Sequence, residues 1–282
     1  MTILVTGAGG QLGYTVSSTL ESLHRVVALG RGELDLVQST AVLDAVHDLK
    51  PDAIINCAAY TNVDGAEDDP SNAFNVNAFG VRTLAQAAGD VGATLVHYST
   101  DFVFDGETDT PYTEEDATNP QSAYAMSKLL GEWFAQDARS YILRVESLFG
   151  GGDPDTQGSS VDQMADAILA GRTVHAFSDR TVSPSYACDV AAATASLLTR
   201  TPATGVYHCV GSGMGTWVDV ASQLARCLGR SAEIVPVSAA SRSHRAKRPK
   251  FCALSNAKLT RAGIEMPAWM DALRRYAATR VG

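Results

Sequence analysis

The chain has 282 residues, of which 45% are hydrophobic and 19% charged, as in an ordinary globular protein. Its formal net charge of -9 argues against non-specific binding to nucleic acid. No apolar run reaches the ~18 residues needed to cross a bilayer, and the N-terminus lacks the features of a signal peptide. The 5 cysteines form no CxxC pair, and the 6 histidines show no metal-ligand spacing. We therefore expect a cytoplasmic protein that binds no metal, nucleic acid or membrane.

The N-terminal stretch has the pattern of a dinucleotide-binding unit. A short apolar strand over residues 3–6 runs into the sequence GAGGQLG, and an amphipathic helix follows. Gly7, Gly10 and Gly13 let the backbone turn tightly and approach a pyrophosphate, which the free N–H groups of the helix N-terminus would face. The position between strand and helix favours a cofactor site over a simple tight turn.

The residue that follows the second strand indicates which dinucleotide is bound. The expected strand over residues 25–29 ends at Gly30-Arg31. An acidic side chain at this point suits the free 2′-hydroxyl of NAD, whereas an arginine suits the 2′-phosphate of NADP. Arg31 therefore favours NADP, with NAD as the alternative. Glu33 and Asp35, just downstream, could weaken this preference.

Strands and helices go on alternating, which predicts an α/β fold with a doubly wound parallel sheet of the Rossmann type. Small residues, Cys57-Ala58-Ala59, end a third strand, and a helix expected over residues 71–88 carries Asn77. A fourth strand over residues 94–98 runs into Ser99-Thr100-Asp101. Because ligands bind at the C-terminal ends of strands in such sheets, Thr100 could hydrogen-bond a substrate carbonyl.

Tyr124 and Lys128 are four residues apart at the start of another predicted helix. The apolar residues that predict the buried stripe of this helix are Met126, Leu129, Leu130, Trp133 and Phe134. This stripe would place Tyr124 and Lys128 together on the opposite, open face. A phenol beside a fixed ammonium is a plausible proton donor, because the positive charge lowers the pKa of the phenol. Taken alone, the two residues could equally be ordinary surface residues.

A glycine run and a basic cluster mark the second half of the chain. The sequence Gly150-Gly151-Gly152-Asp153-Pro154 is the expected junction to a smaller C-terminal substrate-binding lobe. We expect the Rossmann domain to comprise residues 1–148 and 183–211, and the lobe residues 149–182 and 212–282. The basic cluster, which could anchor a diphosphate or be a solvated loop, consists of Arg242, Arg245, Lys247, Arg248 and Lys250.

Five sequence stretches carry a resemblance to a known family, and they occur in the order of that family over nearly the whole chain. They are TGAGGQLG, NCAAYTNVDGAE, YSTDFVFDG, PYTEEDATNPQSAYAMSK and DRTVSPSYACDVA. Together they resemble the extended short-chain dehydrogenase/reductases, and within them the dTDP-4-dehydrorhamnose reductase family. The resemblance implies NAD(P)H-dependent reduction of a 4-keto nucleotide-diphosphate sugar. It implies a catalytic set of Thr100, Tyr124 and Lys128, with Asn77 as a helper.

The resemblance also implies contacts with the cofactor and the substrate. Besides Tyr124 and Lys128, the implied cofactor-binding residues are Gly7, Gly10, Gln11, Leu12, Gly13, Arg31, Asp35, Leu36, Ala58, Ala59, Tyr60 and Ser99. The implied substrate-binding residues are Asp101, Val103, Leu148 and Arg248. Leu148 stands where relatives usually have a pocket tryptophan, and Cys252 where they have a serine after the Arg248-Pro249 pair. We therefore expect the accepted sugar to differ from 4-keto-rhamnose or to be broader, while the nucleotide diphosphate is still required.

Two alternatives remain open. A nucleotide-sugar epimerase or dehydratase would use the same fold, but dehydratases usually have a glutamate directly after Asp101, where this chain has Phe102. A non-catalytic NADP-binding regulatory subunit, like the β subunit of methionine adenosyltransferase, could keep the Tyr124–Lys128 spacing. The sequence leaves the oligomeric state open, and a homodimer is one option.

Overall fold

The computed structural model describes residues 1–152, 158–241 and 244–281; Asp153, Pro154 and Arg242, named above, lie outside these ranges. Its strands are β1 (Thr2–Thr6), β2 (Arg25–Leu29), β3 (Ala53–Asn56), β4 (Thr94–Thr100), β5 (Ser140–Val145), β6 (Leu148–Phe149), β7 (Val174–Phe177), β8 (Thr181–Val182), β9 (Ser185–Tyr186), β10 (Gly205–His208), β11 (Gly215–Thr216) and β12 (Ile234–Val237). Its α-helices are α1 (Gln11–Glu21), α2 (Ser39–Leu49), α3 (Gly65–Asp68), α4 (Pro70–Phe74), α5 (Gly80–Val91), α6 (Ala123–Ala135), α7 (Ser160–Leu169), α8 (Ala187–Arg200), α9 (Trp217–Cys227), α10 (Ala257–Arg261) and α11 (Trp269–Val281).

The centre of the molecule is a six-stranded sheet with the order β10-β5-β4-β3-β1-β2. Every neighbouring pair in it is parallel. The chain winds outward from β1 in both directions, so the expected doubly wound sheet is confirmed. The direction of winding reverses between β1 and β3, and the carboxyl edge at such a switch point is where ligands bind in this fold.

Helices cover both faces of the sheet. On one face α1 and α8 pack through residues such as Val16 and Leu197, and on the other α2 and α5 pack through Val42 and Leu84. The central strand β3 reads AIIN and is buried along its whole length. Strands covered on both faces are expected to be continuously apolar, which explains these short hydrophobic runs.

A second hydrophobic core lies in the C-terminal half of the chain. It joins α7, α9 and α11 through residues such as Val161, Leu224 and Leu273. A small parallel pair, β7 with β12, belongs to the same region. Leu259 and Ile264, in contrast, pack into the core of the main sheet. The division of the chain into two domains therefore stays a prediction, with residues 257–266 lying against the larger one.

The segment expected to be one helix over residues 71–88 is interrupted. Helix α4 leads into a π-helical turn over Asn75–Phe79, and α5 follows. Such turns insert one extra residue per turn and often occur at functional sites. Here the turn directs Asn77 inward, where it is fully buried. Among the described residues, no helix is long and apolar enough to cross a membrane.

Candidate active site

Strand β4 and helix α6 bring the expected catalytic residues together at the carboxyl edge of the sheet. Thr100 is the last residue of β4, and its Oγ1 accepts a hydrogen bond from the backbone N–H of Phe102 at 3.2 Å. Ser122 caps α6, its Oγ accepting from the Ala125 N–H at 3.2 Å. The cap fixes the first turn of the helix, which carries Tyr124. The Thr100 hydroxyl lies beside the Tyr124 phenol and interacts with it.

The orientation expected for α6 is wrong. Lys128 is only 3% exposed, whereas Met126 and Trp133 of the supposed buried stripe are 48% and 58% exposed. Gly131 explains the reversal, because a Cβ at this position would lie 2.1 Å from the backbone oxygen of Asn77. The helix therefore packs on its small and polar side together with Leu129, and it leaves open the part of its apolar side that carries Met126 and Trp133.

A buried ion pair holds the polar side of α6 against the sheet. The Arg144 Nη2 and Nε donate to the two carboxylate oxygens of Glu132 at 2.7 and 2.9 Å. The Ser99 hydroxyl donates to the same carboxylate at 2.5 Å. Such bidentate, hydrogen-bonded geometry is what a buried ion pair requires. It also means that Ser99, an implied cofactor contact, has its hydroxyl hydrogen committed inside the protein.

Lys128 points from α6 back to β4. Its Nζ donates to the backbone oxygen of Tyr98 at 2.5 Å. Burial lowers the pKa of Lys128 to about 8, while the neighbouring Glu132 charge acts in the opposite direction. Lys128 is therefore still mostly protonated at neutral pH, and it is held in a fixed position.

Tyr124 does not have the lowered pKa that its spacing from Lys128 led us to expect. Desolvation of the partly buried phenol raises its pKa above the usual range, the Asp101 charge adds to this, and the neighbouring Thr100 hydroxyl opposes it. The expectation failed because the Lys128 ammonium is directed at Tyr98. The phenol ring makes an edge contact with Phe102, with 6.0 Å between centroids. Tyr124 is therefore protonated and placed to donate a proton.

Asn77, the expected helper, serves as a clamp in this structure. Its Oδ1 accepts from the Tyr60 N–H at 2.8 Å, and its Nδ2 donates to the Tyr60 oxygen at 3.0 Å. The same Nδ2 donates to the Ser127 hydroxyl at 3.0 Å. Asn77 thus ties the strand-end loop that carries Tyr60 to helix α6.

The glycine turn has the shape that a dinucleotide needs. Gly7 has φ of +69°, and a Cβ there would lie 2.5 Å from the backbone nitrogen of Ala58. Around Gly9 a Cβ would meet nothing within 4 Å, so the turn is open on its outer side. Helix α1 begins without a side-chain cap or an acidic residue in its first turn, which leaves its N–H groups available to an anion. The residues present therefore fit a bound pyrophosphate.

The other implied cofactor residues differ in how far they are exposed. Ala59 is exposed and Ala58 and Tyr60 are half-buried at the end of β3, whereas Leu36 lies under the surface, 3% exposed. Gln11 donates to the Gly150 oxygen at 3.0 Å, which links the turn to the start of the second core. Leu12 is 8% exposed and belongs to the main core, so its side chain is mostly occupied by packing.

Charged groups near the end of β2 bear on the choice of dinucleotide. The Arg31 side chain is 79% exposed, and its Nε lies 3.9 Å from the Asp35 carboxylate. Its guanidinium can therefore turn towards a phosphate. Glu33, however, accepts a hydrogen bond from the Gly30 N–H at 2.8 Å and places a carboxylate beside the same turn.

The implied substrate-binding residues lie in different surroundings. The Arg248 Nη1 and Nη2 each donate to the Asp64 carboxylate at 2.8 Å, and these bonds hold the pKa of Asp64 well below its usual range. Val103 is fully buried in a small cluster with Phe104. Leu148 is half-buried against the core of the main sheet. Arg248 is therefore not the free cation that the sequence suggested.

Sequence reasoning missed one residue of the site. Glu146 directly follows β5 and lies beside Asp101 and Cys252. One carboxylate oxygen of each acid and the cysteine sulfur are within 4.8 Å of one another. The available signal was a lone carboxylate between the strand residues RV and the apolar residues that follow Ser147. A charged side chain in such surroundings is rarely placed there without a partner.

The doubly wound sheet, the open glycine turn and the Thr100, Tyr124 and Lys128 set define a short-chain dehydrogenase/reductase of the extended type. The chain belongs to the RmlD substrate binding domain family, whose profile matches residues 1–281. It is 36% identical to a dTDP-4-dehydrorhamnose reductase of Streptomyces griseus over 280 residues, covering 96% of this chain and 91% of that protein.

Solved structures agree with this family. The dTDP-4-dehydrorhamnose reductase of Clostridium acetobutylicum superposes with a TM-score of 0.92 at 34% identity, over 99% of each chain. The Bacillus anthracis enzyme of the same name, solved in complex with NADP, gives a TM-score of 0.93 at 29% identity, again over 99% of each chain. The expected fold class and family are confirmed.

Proposed function

We propose that this protein reduces the 4-keto group of a nucleotide-diphosphate sugar, with NADPH as the hydride donor. The observation that carries the proposal is the meeting of Thr100, Tyr124 and Lys128 at the carboxyl edge of the sheet, beside the open glycine turn. The relatives named dTDP-4-dehydrorhamnose reductase support the reaction, and the relative that holds NADP supports the cofactor.

Each of the three residues has a distinct role in this reaction. NADPH, when bound, supplies the hydride to the carbonyl carbon. The Thr100 hydroxyl donates a hydrogen bond to the carbonyl oxygen and so favours the charge that develops there. Tyr124 gives its proton to that oxygen. Lys128, fixed by the Tyr98 oxygen, holds the nicotinamide ribose and places a positive charge near the reacting groups.

The direct test follows NADPH absorbance while the purified protein is offered 4-keto nucleotide sugars, with dTDP-4-dehydrorhamnose first. We expect turnover that requires both the sugar and the diphosphate. A protein that binds NADPH but consumes none with any 4-keto sugar would instead support the regulatory-subunit alternative. The release of an epimerised or dehydrated sugar without net NADPH consumption would support the other alternative.

We propose that Arg248 anchors the substrate diphosphate once the substrate displaces part of its bond to Asp64. Arg248→Ala should then raise KM for every nucleotide sugar. Asp64→Asn is the matched control, because it weakens the ion pair but keeps the arginine. A rise in KM with Arg248→Ala alone supports the anchor. An equal rise with both variants would show that the ion pair only holds the two loops together.

We further propose a homodimer formed through the open apolar side of α6. Met126 and Trp133 are about half exposed there, and Phe79 of the π-helical turn is 47% exposed. Phe79 and Phe134 lie 6.2 Å apart between centroids and continue the same surface. A second copy is the natural occupant, because a twofold contact sets this apolar surface against itself.

A further inference from the structure

Two carboxyl groups and a thiol lie together behind the Thr100 hydroxyl. A carboxylate oxygen of Asp101, a carboxylate oxygen of Glu146 and the sulfur of Cys252 all lie within 4.8 Å of one another. The three residues are 5%, 3% and 6% exposed. In the described part of the chain, none of the ion pairs involves Asp101 or Glu146. The carboxyl groups are thus buried together, and neither is neutralised by an ion pair of the described residues.

Two carboxyl groups in this position cannot both ionise freely, because repulsion and desolvation disfavour the second charge. Burial raises the pKa of Asp101 to about 7. Burial and then the Asp101 charge raise the pKa of Glu146 well above its usual range, against hydrogen bonds from the Ser147 hydroxyl and the Ser183 N–H. The two groups titrate as a pair. Both are protonated below about pH 7, and the pair carries one negative charge just above it.

The pair is connected to the reacting atoms through Thr100. Thr100 Oγ1 and Asp101 Oδ1 are 3.0 Å apart, and the Thr100 hydroxyl also lies beside the Tyr124 phenol. A threonine hydroxyl has one hydrogen to donate and two lone pairs. When Asp101 is ionised, it takes that hydrogen. When Asp101 is protonated, it donates to Thr100, whose lone pairs are then filled by Asp101 and the Phe102 N–H, and the Thr100 hydrogen is free to point outward.

We propose that Asp101, buried beside Glu146, is a positioning residue whose proton turns the Thr100 hydroxyl towards the substrate oxygen. Asp101 acts on Thr100 directly, and Glu146 is the neighbouring carboxyl that stays neutral when Asp101 first ionises. This inference rests on the proposed reductase function, and it gives Asp101 a different role from the substrate contact implied by the family resemblance.

The sign of the pH effect follows from this arrangement. The active form requires protonated Asp101. The value of kcat is therefore maximal at a pH below the pKa of Asp101 and falls as the pH rises past that pKa. A single ionisation leaves about one tenth of the maximal rate one pH unit above the pKa. The ionised Asp101 also raises the pKa of Tyr124 and makes it a weaker acid, which acts in the same direction.

The other titrating groups near the two carboxyl groups have higher pKa values than Asp101, so the pH profile separates them from it. Burial raises the pKa of the Cys252 thiol well above its usual range, and Arg180 only partly opposes this. The pKa of Tyr124 is raised as well. Lys128 titrates at about 8, so its loss of charge produces a second, higher step in the profile.

The experiment measures kcat between about pH 5.5 and about pH 9, a range that contains the expected steps near pH 7 and pH 8. It compares the unmodified full-length protein with three amide variants. Asp101→Asn carries an amide N–H that donates to Thr100 at every pH, so the step near pH 7 should disappear and only the step near pH 8 remain. Glu146→Gln puts a neutral group of the same size where the neutral Glu146 lies when Asp101 ionises, so the step near pH 7 should remain. Glu265→Gln, an exposed carboxylate outside the site, is the matched control.

Loss of the first step in one isosteric variant and its retention in the other assign that step to Asp101, since general destabilisation would not distinguish the two changes. The affinity for NADPH, measured by fluorescence titration, reports whether each variant is folded. Asp101→Asn with the unmodified profile, or with no turnover despite normal NADPH binding, would overturn the assignment. So would loss of the first step in Glu146→Gln. If the unmodified protein itself shows no turnover, the proposed function fails together with this inference.

Discussion

Replacing Tyr124 with phenylalanine removes one hydroxyl group and leaves the ring in place. The ring keeps its edge contact with Phe102, at 6.0 Å between centroids. The polar interaction that is lost is the one with the Thr100 hydroxyl, which is at most a neutral hydrogen bond. A neutral hydrogen bond contributes about 1 kcal/mol to stability. We therefore expect a folded protein whose free energy of unfolding changes by no more than this amount.

The effect on the reaction should be far larger than the effect on stability. A positioned general acid accelerates proton transfer by about 10²–10⁴-fold, which corresponds to about 2.7–5.4 kcal/mol of transition-state stabilisation. Thr100 and Lys128 remain in the variant and still stabilise the developing charge, so we place the expected loss at the lower end. The prediction for Tyr124→Phe is a fall in kcat of at least about a hundredfold.

The assay is NADPH consumption at saturating substrate, together with NADPH affinity and the thermal midpoint of unfolding. Tyr14→Phe is the matched control, because Tyr14 lies on α1 and is 41% exposed. It loses the same atom outside the site and should leave all three quantities unchanged. A Tyr124→Phe protein that keeps its kcat would refute the role given to the phenol.

Three further substitutions test the cofactor, the packing and the assembly. Arg31→Asp should reverse a preference for NADPH over NADH, mainly through KM; equal KM values in the unmodified protein would contradict the role of Arg31. Gly131→Ala should lower the free energy of unfolding by about 1–3 kcal/mol, because the new Cβ meets the Asn77 oxygen at 2.1 Å. Gly89→Ala in the open part of α5 is its control and should be neutral or stabilising by denaturant titration. Trp133→Glu should convert the dimer into a folded monomer in analytical ultracentrifugation; a protein that is monomeric before the substitution would rule out the proposed interface.

The sheet and the glycine turn could be predicted because they follow from local rules. Apolar runs bounded by turns locate the strands. The glycines of the first turn are required by close backbone contacts, and those contacts recur wherever a strand, a turn and a helix meet in this way. The catalytic residues Thr100 and Tyr124 then lie at element ends that the topology brings to one edge of the sheet.

The errors have a common physical origin in tertiary contacts. Periodicity gave α6 the wrong buried face, because the contact surface is set by how closely Gly131 approaches Asn77 and by the ion pair of Glu132 with Arg144. Hydrophobicity takes no account of either contact. The expected lowering of the Tyr124 pKa failed for the same reason, since the direction of the Lys128 side chain depends on the Tyr98 carbonyl.

The contacts of the implied substrate-binding residues could not be predicted, because they join residues that are distant in the sequence. Arg248 and Asp64 are 184 residues apart in the chain, and nothing in the local sequence of either indicates the other. Glu146 and Cys252 reach Asp101 from two different parts of the fold. A carboxyl pair of this kind depends on the three-dimensional arrangement, so its effect on Thr100 becomes visible only there.

The central claim is that hydride passes from NADPH to the carbonyl carbon of a nucleotide-linked sugar at the Thr100 and Tyr124 site. The most direct measurement uses NADPH that carries deuterium in the transferable position, followed by mass and NMR analysis of the sugar product. The account predicts one deuterium on C4 and one new hydroxyl at that carbon for each NADPH consumed. Deuterium at another carbon, or a sugar that gains none while the protein binds NADPH normally, would contradict it.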